Sequence, residues 1–150
     1  MFSGRLWKLF CDSFFKILIP GLAVTIPLTA LSFTFALVIA VAMALVQFAN
    51  IKVLKQIARF YIWIFRGTPL VVQLFIAFFG LSKVGIRLDP FPAAVIVFSL
   101  NEGAYCAEIV RAALESVPKG QLEAGLCAGL SYLQCIFRIV LPQAMRTAFP

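Results

Sequence analysis

Residues 17–49 carry no charged side chain. Wound as a helix, these 33 residues would be about 50 Å long, against a hydrocarbon core of about 30 Å. The run is long enough for one membrane span and too short for two. Lipid offers no hydrogen-bond partners, so a chain built around such a run must satisfy its backbone internally, as a helix. Composition points the same way. Of the 150 residues 63% are hydrophobic and only 13% are charged, about half the charge of a soluble domain. The expected class is an all-α integral membrane protein.

Charge and cysteine content narrow the chemistry. Thirteen Lys and Arg against six Asp and Glu give a net charge of +7. The basic residues flank apolar runs instead of forming one polar face, which marks a membrane surface and not a nucleic acid partner. Histidine is absent, and Cys11, Cys106, Cys127 and Cys135 form no CxxC pair, so no zinc or dithiol site and no cofactor are expected. Buried free thiols are the expected state of the cysteines. The first apolar run exceeds a signal-peptide core and lacks a small-residue cleavage site, which argues against a cleaved leader.

Along the chain, Pro20 and Gly21 are expected to bend the start of the first span, 17–49. Residues 1–16 would then lie in the interface as an amphipathic segment anchored by Trp7. In "IKVLKQIARF", Lys52, Lys55 and Arg59 recur at helical spacing against Val53, Leu54, Ile57 and Phe60, the pattern of a basic amphipathic elbow. The second span is expected over 61–81 and contains "RGTP". There Pro69 removes a backbone donor and crowds the Phe65 carbonyl, so the helix is kinked or broken. A third span is expected over 91–114. Residues 131–150 hold Arg138, Pro142, Gln143 and Arg146 and read as the start of a fourth-span region, incomplete at Pro150.

Basic residues set the orientation. Lys52, Lys55, Arg59, Arg66, Arg111, Lys119, Arg138 and Arg146 fall on one side, and Arg5, Lys8, Lys16, Lys83 and Arg87 on the other. Eight against five places the first group inside, and with it residues 116–130.

Intramembrane polar residues are costly and mark function by default. In the third span Asn101, Tyr105 and Glu108 fall at i, i+4 and i+7, one helical stripe that is expected to face a partner or a polar cavity. Glu102 lies about 100° away. The alternative for Glu108 is a bridge to Arg111 or to a neighbouring helix. Gly103 and Ala107 form a small-xxx-small pair for close helix approach. Arg66 is expected to snorkel to the inner surface, and Gln73 either to do likewise or to meet a ligand.

"SVPKGQLEAGLCAGL", residues 116–130, reads as a Pro-initiated short helix on the inner surface, closed near Gly129. "EAG" at 123–125, Gly129 four residues later and "IVLP" at 139–142 resemble the cytoplasmic signature of ABC importer permeases. "RGTPLVVQLF", "NEGAYCAEIVRAALESVPKGQLEAG" and "LPQAMRTAFP" are similar to the polar amino acid branch of that family. The likeness runs from about Thr25 onward. It implies the type I importer permease fold, with the signature as a coupling helix docked on an ATPase. Glu123, Ala124, Gly125 and Gly129 would then form the ATPase contact, and Leu141 and Pro142 a brace beneath the following helix. It further implies a second permease subunit, the same or paralogous, an extracytoplasmic amino acid-binding protein, a bacterial inner membrane, and alternating access. Asn101, Tyr105, Glu108 and Gln73 would border the substrate path. No GxxxxGK[ST] loop occurs, so ATP hydrolysis is expected on a partner chain and the subunit itself is not expected to be an enzyme. The sequence departs from the family at Gly125, which replaces an alanine and is expected to loosen the short helix, and in the two of five spans that do not follow. Other classes remain open: a small structural or regulatory membrane protein whose polar stripe assembles helices, or, more remotely, a channel-forming oligomer.

Overall fold

The computed structural model describes residues 2–49 and 51–148. Met1, Asn50, Phe149 and Pro150 lie outside the described residues, as does the side chain of Arg5 counted above. Six helical elements follow one another: α1 (Phe2–Phe48), α2 (Lys52–Gly67), α3 (Leu70–Lys83), α4 (Pro90–Ser116), α5 (Lys119–Cys127) and α6 (residues 132–148).

Helix α1 runs unbroken through Pro20 and Pro27, so Pro20 and Gly21, where a bend had been expected, do not interrupt it. Each proline costs one donor and crowds one carbonyl, and residues 12–27 are almost all exposed, so no packing is lost in absorbing that crowding. The second half of α1 is different. Ala36, Ala40 and Ala44 are fully buried, spaced four apart on one face, and they pack against α4.

The α1–α4 contact is parallel. Ile39 lies against Gly103, Ala40 clusters with Ala104 and Ala107, and Ala44 clusters with Val110 and Ala113. A Cβ on Gly103 would stand 3.0 Å from Ile39 Cγ2 and 3.2 Å from the Tyr61 hydroxyl. The small residues singled out in the sequence therefore set how closely the two backbones approach.

Two parallel helices require the chain between them to travel back. Helix α2 begins that return along α4, with Lys55 near Glu115 and Phe65 near Asn101. At Thr68 and Pro69 the backbone becomes extended, and α3 leaves at 101° to α2. The segment expected as one span over 61–81 is thus a broken pair. Helices α1 and α4 are each long and apolar enough to cross a membrane by themselves.

Helix α6 closes the end of the bundle at which α1 and α4 finish, burying Ile136, Val140 and Ala144 against Ala44, Val110, Ala113 and Leu114. Its middle, Ile136–Val140, is a wide π-type turn closed by the Leu141 N–H on the Ile136 carbonyl. That turn sits directly before Pro142, which cannot donate to Arg138, and the extra width accommodates the proline. Large apolar side chains such as Ile17, Val38 and Trp63 remain more than 60% exposed, as they would be against lipid.

Candidate functional site: the helix break, the polar stripe and the inner loop

At the α2–α3 break, Phe65 is the residue whose carbonyl Pro69 deprives of its helical donor. Two side-chain amides replace that donor: Gln73 Nε2 at 3.0 Å and Asn101 Nδ2 at 3.2 Å. Gln73 also donates to the Thr68 hydroxyl at 2.8 Å, while Thr68 donates to the Ile64 carbonyl at 2.8 Å. Asn101 Nδ2 lies 3.2 Å from Gln73 Oε1. The polar atoms freed by the break are thereby satisfied locally, the condition for irregular backbone at membrane depth. Two residues selected from the sequence, Gln73 and Asn101, meet here. Tyr61, which the sequence reading passed over, ties α2 to α4 by donating to the Leu100 carbonyl at 2.6 Å.

Toward the C-terminal end of α4 the stripe continues through Tyr105 and Glu108. Arg111 grips the Glu108 carboxylate with two bonds, Nε–Oε1 at 3.2 Å and Nη2–Oε2 at 3.0 Å, and reaches Glu115 Oε2 at 2.7 Å. Arg66, expected to snorkel, lies beside the stripe. Its guanidinium lies 5.3 Å from the Tyr105 ring centre, with Nη1 3.8 Å from Glu108 Oε2. A carboxylate whose side chain is only 27% exposed draws cations from both helices because an unpaired buried charge is costly. The bridge from Glu108 to Arg111 and to a neighbouring helix, held above as an alternative, is present.

A polar cavity of about 310 Å³ opens here between α1, α2 and α4, lined by Lys55, Arg59, Arg66, Glu108, Arg111 and Glu115 together with Gln47. Gln47 is 6% exposed, and its side chain lies beside Glu108 in this cavity. It is the only amide side chain in the uncharged run 17–49, a signal present in the sequence itself. A second cavity of about 440 Å³ lies on the other side of the break, lined among others by Thr25, Thr29, Ser32, Leu70, Asn101 and Glu102. Ser32 Oγ is buried there without a partner. Glu102 is exposed and is approached by the Cys106 thiol at 3.5 Å.

The segment 116–130 is held by backbone chemistry. Helix α5 follows Pro118 and ends in paired bonds from Leu130 N–H to the Gly125 carbonyl at 3.1 Å and from Gly129 N–H to the Leu126 carbonyl at 3.0 Å. This closure needs a left-handed residue, and Gly129 supplies it with φ +83. Ser131 then starts α6 through a reciprocal capping box with Gln134.

Glu123 and Ala124 are exposed on α5. Gly125 points inward, and a Cβ there would stand 2.7 Å from both Cys135 Sγ and Ile139 Cδ1. The departure at Gly125 is a packing feature: larger neighbours fill the space a methyl group would take. Leu141 packs against the inner core, while Pro142 is exposed. A cleft of about 570 Å³ separates α5 from the ends of α1 and α4, with Lys119, Leu122 and Glu123 along its lower wall. Of the four cysteines only Cys135 is buried; Cys127 is exposed, and Cys11 and Cys106 are partly so.

Residues 36–150 match the family described as binding-protein-dependent transport system inner membrane component. The chain is 48% identical over 144 residues to the L-cystine transport system permease protein TcyB of Bacillus subtilis (strain 168), covering 96% of this chain and 62% of that protein. It is 38% identical over 134 residues to the arginine transport system permease protein ArtQ of the same organism, covering 89% and 61%. Among solved structures, a crystal structure of an amino acid ABC transporter with histidines superposes with a TM-score of 0.82 at 34% identity, over 95% of this chain and 66% of that one. The chain thus spans about three fifths of the length of these curated relatives.

Proposed function

The chain belongs to the family of binding-protein-dependent transport system inner membrane components, and from that membership we propose that it is the membrane-spanning permease portion of an ATP-driven amino acid importer in a bacterial inner membrane. The amino acid class rests on the relatives, whose names specify cystine and arginine transport. A second permease subunit, a cytoplasmic ATPase and an extracytoplasmic binding protein complete the machine.

The observation that carries the coupling role is the form of α5. It is a nine-residue helix between Pro118 and Gly129, exposing Glu123 and Ala124 while Gly125 seats it on α6. A rigid, separately capped helix of this kind can pass a push from an ATPase to the ends of α4 and α6 without unwinding. Leu141 and Pro142 brace the far side, next to the wide turn of α6.

The substrate path follows the α4 stripe. Asn101 and Gln73 stand at the helix break, where the 440 Å³ cavity begins; Glu108 borders the 310 Å³ cavity toward the inner face together with Arg66, whose guanidinium lies over the Tyr105 ring. Charged groups at this depth are tolerated where they face water or a polar ligand. Alternating access would then come from rocking of the two permease subunits about this region.

The test is reconstitution of the full-length subunit with its ATPase and binding protein. Uptake of an amino acid must require ATP, and Glu123→Arg is expected to uncouple ATP hydrolysis from uptake while expression and membrane insertion stay normal. Normal uptake in that variant would remove the coupling role from α5.

A further inference from the structure

Arg66 carries an incompletely satisfied charge on the cavity wall. Arg111 is committed to its neighbours, with two bonds to Glu108 and one to Glu115. Arg66 has five N–H donors of its own, yet among the described residues it makes no hydrogen bond. Its nearest acceptor, Glu108 Oε2 at 3.8 Å, lies beyond hydrogen-bonding distance. The side chain is 45% exposed and lines the 310 Å³ cavity.

Its position is nevertheless fixed. The preceding carbonyl, that of Phe65, is held by Gln73 and Asn101, and the guanidinium lies over the Tyr105 ring, whose face attracts a cation and leaves the N–H edges unspent. The same cavity holds four cationic side chains, Lys55, Arg59, Arg66 and Arg111, against two carboxylates, Glu108 and Glu115.

We propose that Arg66 is the carboxylate-recognising residue of the path: its guanidinium leaves the long contact with Glu108 and takes the α-carboxylate of a zwitterionic or acidic amino acid in two parallel hydrogen bonds. This rests on the permease reading above. A planar guanidinium matches a carboxylate bidentately, as a lysine ammonium does not. Glu108 tolerates the exchange because Arg111 still holds both of its oxygens. The excess of cations on the cavity wall disfavours a ligand with a basic side chain, so Arg66 acts on specificity as well as on affinity.

The test uses the full-length subunit in its assembled complex, with binding protein, in proteoliposomes. Uptake of radiolabelled L-cystine, L-glutamine and L-arginine is measured for the wild type, Arg66→Lys, Arg66→Gln and Arg66→Gln/Glu108→Gln, with the melting temperature of each complex. The expected result is a fall of at least about tenfold in kcat/KM for cystine or glutamine in Arg66→Gln, partial recovery in Arg66→Lys, and a melting temperature within about 2 °C of wild type, since the pair given up is long and half-exposed. The double variant stays as slow as Arg66→Gln. Unchanged uptake in Arg66→Gln overturns the proposal. So does recovery in the double variant, which would make Arg66 only a counter-ion for Glu108. A wild-type complex that hydrolyses ATP but takes up none of the three amino acids sinks the amino acid reading and this proposal with it, a failure visible before any variant is compared.

Discussion

Asn101 Nδ2 sits 3.2 Å from Gln73 Oε1, and both side chains converge on the Phe65 carbonyl that Pro69 leaves without a helical donor. The break in the second hydrophobic segment is therefore latched from a helix far along the chain. Removing one amide leaves the carbonyl a partner; removing both orphans it. Gln73→Leu and Asn101→Leu are each expected to be mild alone, and together to cost about 1–3 kcal/mol. Thermal unfolding of the assembled complex through the double-mutant cycle measures the coupling, and strictly additive losses would mean that the amides act independently.

At Gly125 two effects oppose each other. Alanine gains about 1 kcal/mol in helix propensity over glycine, but its Cβ would meet Cys135 Sγ and Ile139 Cδ1 at 2.7 Å. Ile139 can swing its terminal methyl away, whereas Cys135 is fully buried and cannot. Gly125→Ala is expected to lose about 1–3 kcal/mol from overpacking, and Gly125→Ala/Cys135→Ala to regain most of it. Melting temperatures of the four proteins decide; a stabilised single variant would show that α5 can lift off α6 freely.

Glu108→Gln keeps shape and removes one charge from a cluster that already holds more cations than carboxylates. Arg111 retains Glu115 at 2.7 Å, so the complex is expected to weaken by only about 1–2 kcal/mol and to assemble. Competition of uptake by lysine, glutamine and glutamate is expected to shift toward glutamate and away from lysine. An unaltered order of competitors would place Glu108 outside the path and leave it as a packing residue.

Orientation is tested by labelling, after replacement of the four native cysteines. Val84 is 72% exposed and a better probe site than its neighbour Gly85, whose φ of +90 only glycine adopts without strain. Val84→Cys is expected to react with a membrane-impermeant thiol reagent from outside, and Gly120→Cys only from inside. The reverse pattern would put α5 out of reach of a cytoplasmic ATPase.

The sequence disclosed what depends on local chemistry. The period of Asn101, Tyr105 and Glu108, the break at Pro69, the small face at Gly103 and the turn at Gly129 all follow from residue type and spacing. The partners did not, because they come from elsewhere in the chain. Arg66 turns to Glu108, 42 positions away, and the direction of α3 is tied to an amide on α4. Gly125 looked like a weakness until Cys135 and Ile139 were in place against it. Pro20 leaves the helix uninterrupted, because one lost donor in an exposed stretch disturbs no packing. Gln47 and Ser32 were overlooked because a single polar side chain in an apolar run carries no period.

The uneven packing of α1 has a consequence for how the protein is made. Its candidate span is more hydrophobic than that of α4, with a mean hydropathy of 2.4 against 1.4, and less of it is buried, 22% against 39%. It carries no charge over residues 17–49, so the translocon can release it into lipid alone. Helix α4 arrives later in synthesis bearing Asn101, Glu102, Glu108 and Arg111, and each charged residue near mid-span costs about 2.5–3.5 kcal/mol on insertion. A neighbour already in place lowers that cost, and the alanine face of α1, made earlier in the chain, packs against α4.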